Sequence, residues 1–141
     1  MQKLILDTNV VISALIQKSF PHFIVYDFVL NGKVQLCLSE QLLSEYNDVL
    51  SRPKFAKINN FQHNAKIVLT RFAKIAIFYV PKIHLDIIRD KSDNKLLELA
   101  DESCADFLIT GNSVDFTISH YKQTQILSPR NYFCMFTDWR D

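Results

Sequence analysis

Short apolar runs that stop at a polar residue, each followed by a stretch of helical periodicity, constrain this chain more than any other feature. Lys3–Leu6 ends abruptly at Asp7, and Val10, Val11, Ala14 and Leu15 then recur at helical spacing. Pro21 suits the first turn of a second helix, predicted over Phe23–Leu30 and ended by Asn31-Gly32. A strand is predicted at Val34–Leu38, with Ser39 as the N-cap of a helix over Glu40–Leu50 that stops before Arg52-Pro53. Asn60–Ile75 reads as a helix and Ile77–Val80 as a strand; residues 82–92 connect to a helix over Asp93–Ser103. Strands are expected at Phe107–Thr110 and Gln125–Leu127, and Ser128-Pro129 opens a short C-terminal helix or turn. This alternation predicts an α/β layer architecture.

A length of 141 residues suits one domain over 1–141. No apolar run reaches the roughly 18 residues of a membrane span, and Lys74 interrupts even Phe72–Val80. Asp7 follows the N-terminal apolar run too early for a signal peptide. Cys37, Cys104 and Cys134 cannot all pair and form no CxxC, so a reducing cytoplasm is the expected compartment. The formal charge of +1 hides an asymmetry. From Arg52 to Lys95 ten basic residues face only Asp86, Asp90 and Asp93, whereas the rest of the chain carries six bases against twelve acids. Such a split favours a polyanionic partner at one surface, although a plain solvated surface would show it too.

Open α/β sheets gather ligands beyond the carboxyl ends of their strands. Asp7 sits at one such end, and Asn112 and Asp115 lie just past another. Each has a plain structural explanation, Asp7 as a helix cap and Asn112 as a turn residue after Gly111. Leu42, Leu43, Tyr46, Val49 and Leu50 share one face of their helix, with Glu45 at its margin and Asp48 on the far side. Glu45 is placed equally well to line a cleft or to snorkel into water. In the later helix Leu96, Leu97, Ala100 and Cys104 form the apolar stripe. Asp93 falls on that face, while Glu98, Asp101 and Glu102 are expected to point away.

Asp7, Glu45 and Asp93, with Asn112 or Asp115, would make an oxygen-rich cluster whose like charges repel unless a cation joins them. Hard divalent ions, Mg²⁺ or Mn²⁺, suit such ligands, one or two per site. Basic residues beside the cluster would position a phosphate backbone, Arg52, Lys54, Lys91 and Lys95 being the candidates for that contact. Together these groups follow the logic of a metal-dependent nuclease.

The ordered segments LDTNVVISAL, SEQLLSEYNDVLSRPKF, RDKSDNKLLELADESCADFLITGN and ILSPRNYF resemble PIN-domain ribonucleases, particularly the PIN-family toxins of prokaryotic toxin–antitoxin systems. The resemblance implies an α/β/α sandwich with a central, mainly parallel sheet and an acidic cleft that binds divalent metal and cuts RNA. It makes Asp7 the first metal-binding acid, with Asn9 supporting it by hydrogen bonding. Glu45 and Asp93 become the second and third acids, and Arg52 and Lys54 fall in a basic segment. The chain departs from the common TGD at Thr110-Gly111-Asn112, where Asn112 offers an oxygen without charge and Asp115 lies three residues on. A cognate antitoxin and a homo-oligomer, a dimer or larger, are the partners implied.

Other chemistries lack their signatures. His22, His63, His84 and His120 are dispersed without HxxxH, and there is no GxGxxG or GxxxxGK[ST]. No Ser or Cys carries a nucleophile signature. The aromatics of Tyr132–Phe136 read as packing in preference to a partner surface. The expected activity is endoribonucleolytic, with a noncatalytic RNA- or protein-binding module as the alternative. A receiver-like domain is disfavoured because the early acid stands alone and Glu45 sits on a helix.

Overall fold

The computed structural model of the chain describes residues 1–88, 91–111 and 118–140, side chains 91–92 and 137–140 excepted. Along the chain run β1 (Lys3–Leu6), α1 (Thr8–Ile16), α2 (Phe20–Phe23) continuing into a π-helical segment (Ile24–Val29), β2 (Gln35–Leu38) and α3 (Glu40–Leu50). A 3-10 turn (Pro53–Phe55), α4 (Phe61–Ile75), β3 (Ile77–Phe78), α5 (Lys91–Ser103) and β4 (Phe107–Ile109) follow. The chain then forms β5 (His120–Tyr121), β6 (Thr124–Leu127) and α6 (Pro129–Arg140).

The strands form one sheet in the order β3-β2-β1-β4-β6-β5, parallel throughout except where β5 runs antiparallel to β6. β1 lies in the middle, with Leu4 opposite Leu36 on one side and Leu6 opposite Ile109 on the other. Leu4, Ile5 and Leu6 are fully buried, as expected of a parallel strand covered on both faces. Each such side chain contributes about 1.5–3 kcal/mol through its burial. From β1 the chain steps through β2 to β3 in one direction, then crosses to β4 on the opposite side of β1. Right-handed crossovers therefore put α1 to α4 on one face and α5 on the other. In keeping with this, α1, α3 and α4 pack on one another. This is the α/β/α arrangement expected from the sequence. The reversal of strand order falls between β1 and β4, so the carboxyl ends of those two strands border the natural ligand crevice.

Several local expectations are corrected. The second helix begins at Phe20, with Pro21 in its first turn, and continues as a π-helix to Val29. Its exit uses Gly32 at φ 74°, a left-handed conformation that suits a residue without a Cβ. Cys104 is exposed and does not extend the apolar stripe. The helix ends at Ser103 and Cys104 takes φ 54°, while Leu99 joins Leu96, Leu97 and Ala100 in the core. Glu98 turns inward and is only 8% exposed. α6 is a full helix with Ser128 Oγ accepting from the Asn131 amide, and Tyr132 packs edge-on against Phe28 and Phe107. No helix among the described residues is long and apolar enough to cross a membrane.

Candidate functional site

Asp7 is the residue at which β1 becomes α1, so the fold itself brings it to the crevice. Its amide donates to the Ile109 carbonyl at 2.9 Å, which extends the β1–β4 pairing by one residue and fixes its direction. Although Asp7 occupies the N-cap position, its side chain makes no capping hydrogen bond. The carboxylate instead accepts from Thr110 Oγ1 at 2.7 Å, just past the end of β4. Asp7 is 4% exposed. Burial raises its carboxyl above the ordinary value, the Thr110 hydroxyl opposes that rise, and the neighbouring Glu45 charge adds to it.

Glu45 arrives from α3, whose start Ser39 secures by accepting from the Leu42 amide at 3.1 Å. Leu42, Tyr46 and Leu50 anchor the buried side of this helix, leaving Glu45 at its margin. Tyr46 is wholly buried and donates its hydroxyl to the Leu6 carbonyl, tying α3 to the last residue of β1. Burial pushes the Tyr46 phenol well above its usual range, so it remains a donor. Both oxygens of Glu45 are engaged. Thr8 Oγ1 donates to Oε2, and Lys95 Nζ donates to Oε1 at 2.5 Å.

Asp93 lies in the first turn of α5. The irregular segment before this helix needs partners for its backbone, and α5 supplies them. Asn94 Oδ1 accepts from the Ile87 and Ile88 amides at 2.9 and 2.8 Å, and its Nδ2 donates to the Ile88 carbonyl at 2.9 Å. One turn on, Glu98 Oε2 accepts from the Leu85 amide at 2.8 Å. These contacts strap 85–88 to α5 and set the approach to Asp93.

Asp7, Glu45 and Asp93 open into one cleft of about 1300 Å³, which Arg52, Lys54 and Lys95 also line. Its other carboxylates are Glu40, Asp48 and Glu98, so six acids face three permanent cations. Arg52 bonds Asp48 at 3.2 Å, and Lys54 lies 5.2 Å over the Phe55 ring. Its carboxylates are hard anionic oxygen donors, the kind that suits Mg²⁺ or Mn²⁺, and the His84 imidazole lies beside Glu98 at 3.3 Å. Among the described residues no three of His, Cys, Asp or Glu converge closely enough to hold a metal ion. Asn112, Asp115 and Asp90 lie outside the described residues, and Lys91 is placed only through its backbone.

The PIN domain family profile matches residues 3–113, from the first residue of β1 to just beyond β4. The chain belongs to the PIN-domain family. An uncharacterized protein of Methanocaldococcus jannaschii is 31% identical over 110 residues, covering 78% of this chain and 70% of that relative. PIN domains are commonly nucleases, and this chain carries that nuclease-type fold.

Within this PIN domain, Asn9 stands at the cleft wall two residues after Asp7. The Asn9 and Thr8 amides favour the charged form of the Asp7 carboxylate. The sequence reading did not single out the hydroxyls of Thr8 and Thr110, which hold Glu45 and Asp7. Both follow a candidate acid or a strand end directly, and that adjacency was the available signal. It also missed the Asn94 and Glu98 strap, although their i, i+4 spacing puts them on one helix face.

Proposed function

We propose that this PIN domain is a divalent-metal-dependent endoribonuclease that hydrolyses phosphodiester bonds in its acidic cleft. The observation that carries the reading is Asp7, an acid buried at a strand's carboxyl end that opens into one cleft with Glu45 and Asp93, its carboxyl raised by burial and further by the Glu45 charge. Asp7, Glu45 and Asp93, completed by Asn112 or Asp115, would hold Mg²⁺ or Mn²⁺. When bound, such an ion supplies neutralising charge at the phosphate and makes water a better nucleophile. Thr110 orients Asp7, and Thr8 orients Glu45. Arg52 and Lys54 flank the cleft where the RNA backbone would run, with Lys91 and Lys95 as further candidates. Water displaces the leaving oxygen, with no protein nucleophile and no covalent intermediate.

The resemblance to PIN-family toxins supports a cellular role as the toxin of a pair, cytoplasmic and oligomeric, restrained by a cognate antitoxin. A noncatalytic RNA- or protein-binding module is the second reading. It is favoured by the uncharged Asn112 and by the lack of three converging ligands among the described residues. End-labelled RNA incubated with Mn²⁺ and either wild type or Asp7→Asn separates the two. Cleavage confined to wild type supports the nuclease, and RNA retention without cleavage by both proteins supports the binding module. Induced expression that halts growth with wild type but not with Asp7→Asn supports the toxin role.

A further inference from the structure

The cleft's cations are not equivalent. Arg52 pairs with Asp48 near the rim, both side chains more than half exposed, and Lys54 rests over the Phe55 ring. Lys95 instead reaches Glu45, deep in the cleft. Its ammonium bonds Glu45 Oε1 at 2.5 Å, and both side chains are less than a quarter exposed. Thr8 takes the other oxygen, so each oxygen of Glu45 already has a partner within the chain. The same bond joins α5, which carries Asp93, to α3, which carries Glu45.

We infer that Lys95 is the resident counter-ion of this cleft, holding Glu45 in the metal-free protein and yielding that oxygen when a divalent cation binds. The inference rests on the metal-dependent reading above. An ammonium and a hard divalent ion seek the same anionic oxygen, and the two positive charges repel when both approach it. Lysine suits an exchange of this kind, because its charge is compact and sits on a flexible four-carbon stem. In the metal-free state Lys95 offsets the repulsion between Glu45 and Asp7. In the loaded state that compensation is redundant, so the lysine acts as a competitor that sets how tightly the site binds metal. Its role is that of a positioning residue acting through Glu45.

The test is Mn²⁺ binding by titration calorimetry, on the full chain in metal-free buffer, with no substrate present. Wild type, Lys95→Met, Lys95→Arg, Lys54→Met and Asp7→Asn are compared, with Lys95→Gln replacing the methionine variant if that variant melts at the assay temperature. Lys95→Met is expected to bind Mn²⁺ at least about fivefold more tightly than wild type, the lower end of typical coupling between sites. Lys95→Arg keeps the charge and should not tighten binding, and Lys54→Met should change affinity less than Lys95→Met does. Equal or weaker binding by Lys95→Met overturns the inference. Equal tightening by Lys54→Met also overturns it, because a general field effect then suffices. If wild type binds no Mn²⁺, or Asp7→Asn binds it equally well, the metal-dependent reading falls and takes the lysine's role with it. Asp7-dependent binding that ignores Lys95 removes the lysine's role alone.

Discussion

Replacing Asn94 with alanine tests how the approach to the cleft is built. One side chain, 3% exposed, makes three hydrogen bonds to the backbone of Ile87 and Ile88. Asn94→Ala strips two amides and one carbonyl of that partner. At about 1 kcal/mol net per hydrogen bond the loss comes to about 3 kcal/mol if the segment stays in place. The segment can instead open to water, but Ile88 is only 4% exposed and its release costs about 1.5–3 kcal/mol. Both routes therefore cost a similar amount, and the chain has no inexpensive escape. For a domain of this size the fall in Tm is about 6–10 °C. Thermal unfolding measures that fall, and hydrogen exchange at the Ile87 and Ile88 amides should accelerate with it. Glu98→Gln is the comparison, because it keeps an acceptor for the Leu85 amide and should unfold near wild type. A Tm within about 1 °C of wild type, with unchanged protection at Ile87 and Ile88, would refute the strap.

Asp7→Asn should melt above wild type in metal-free buffer at neutral pH, because it removes a buried charge beside Glu45. The folded Asp7 carboxyl titrates above its ordinary value of 3.8, so its contribution is complete below that pH and is lost as pH rises through the folded value. The advantage of Asp7→Asn should thus vanish in acid, and an advantage that persisted below pH 3.8 would contradict the assignment. Tyr46→Phe leaves the Leu6 carbonyl without its hydroxyl partner and should cost about 1–3 kcal/mol by denaturant unfolding; a neutral result would show that another donor takes over. Burial pushes the Cys37 thiol up to about 11, so iodoacetamide at neutral pH should label Cys104 and Cys134 and spare Cys37 in the folded protein.

The parts of this fold legible in sequence are those decided by local pattern. β1 and α3 appear where apolar spacing and the Ser39 cap put them, because both depend on burial of residues adjacent in the pattern. β5 is only two residues long and exists through its pairing with β6, so periodicity has nothing to register there. Glu98 was expected to face water because a carboxylate normally does. It turns inward because an irregular segment distant by thirteen residues needs an acceptor for its Leu85 amide. At the cleft, the strand end announced Asp7, and helix geometry placed Glu45 at its margin and Asp93 toward the interior. The bond from Lys95 to Glu45 spans fifty residues and joins two helices, a partnership that no local pattern encodes.

The central claim is that RNA is cut in the cleft containing Asp7, Glu45 and Asp93, with a divalent ion. The direct measurement incubates a mixed RNA pool with purified wild type and Asp93→Asn, each in EDTA, Mg²⁺ and Mn²⁺. The account predicts fragments from wild type with Mg²⁺ or Mn²⁺, none in EDTA, and none from a folded Asp93→Asn. Cleavage that survives EDTA, or full activity in Asp93→Asn, would contradict it.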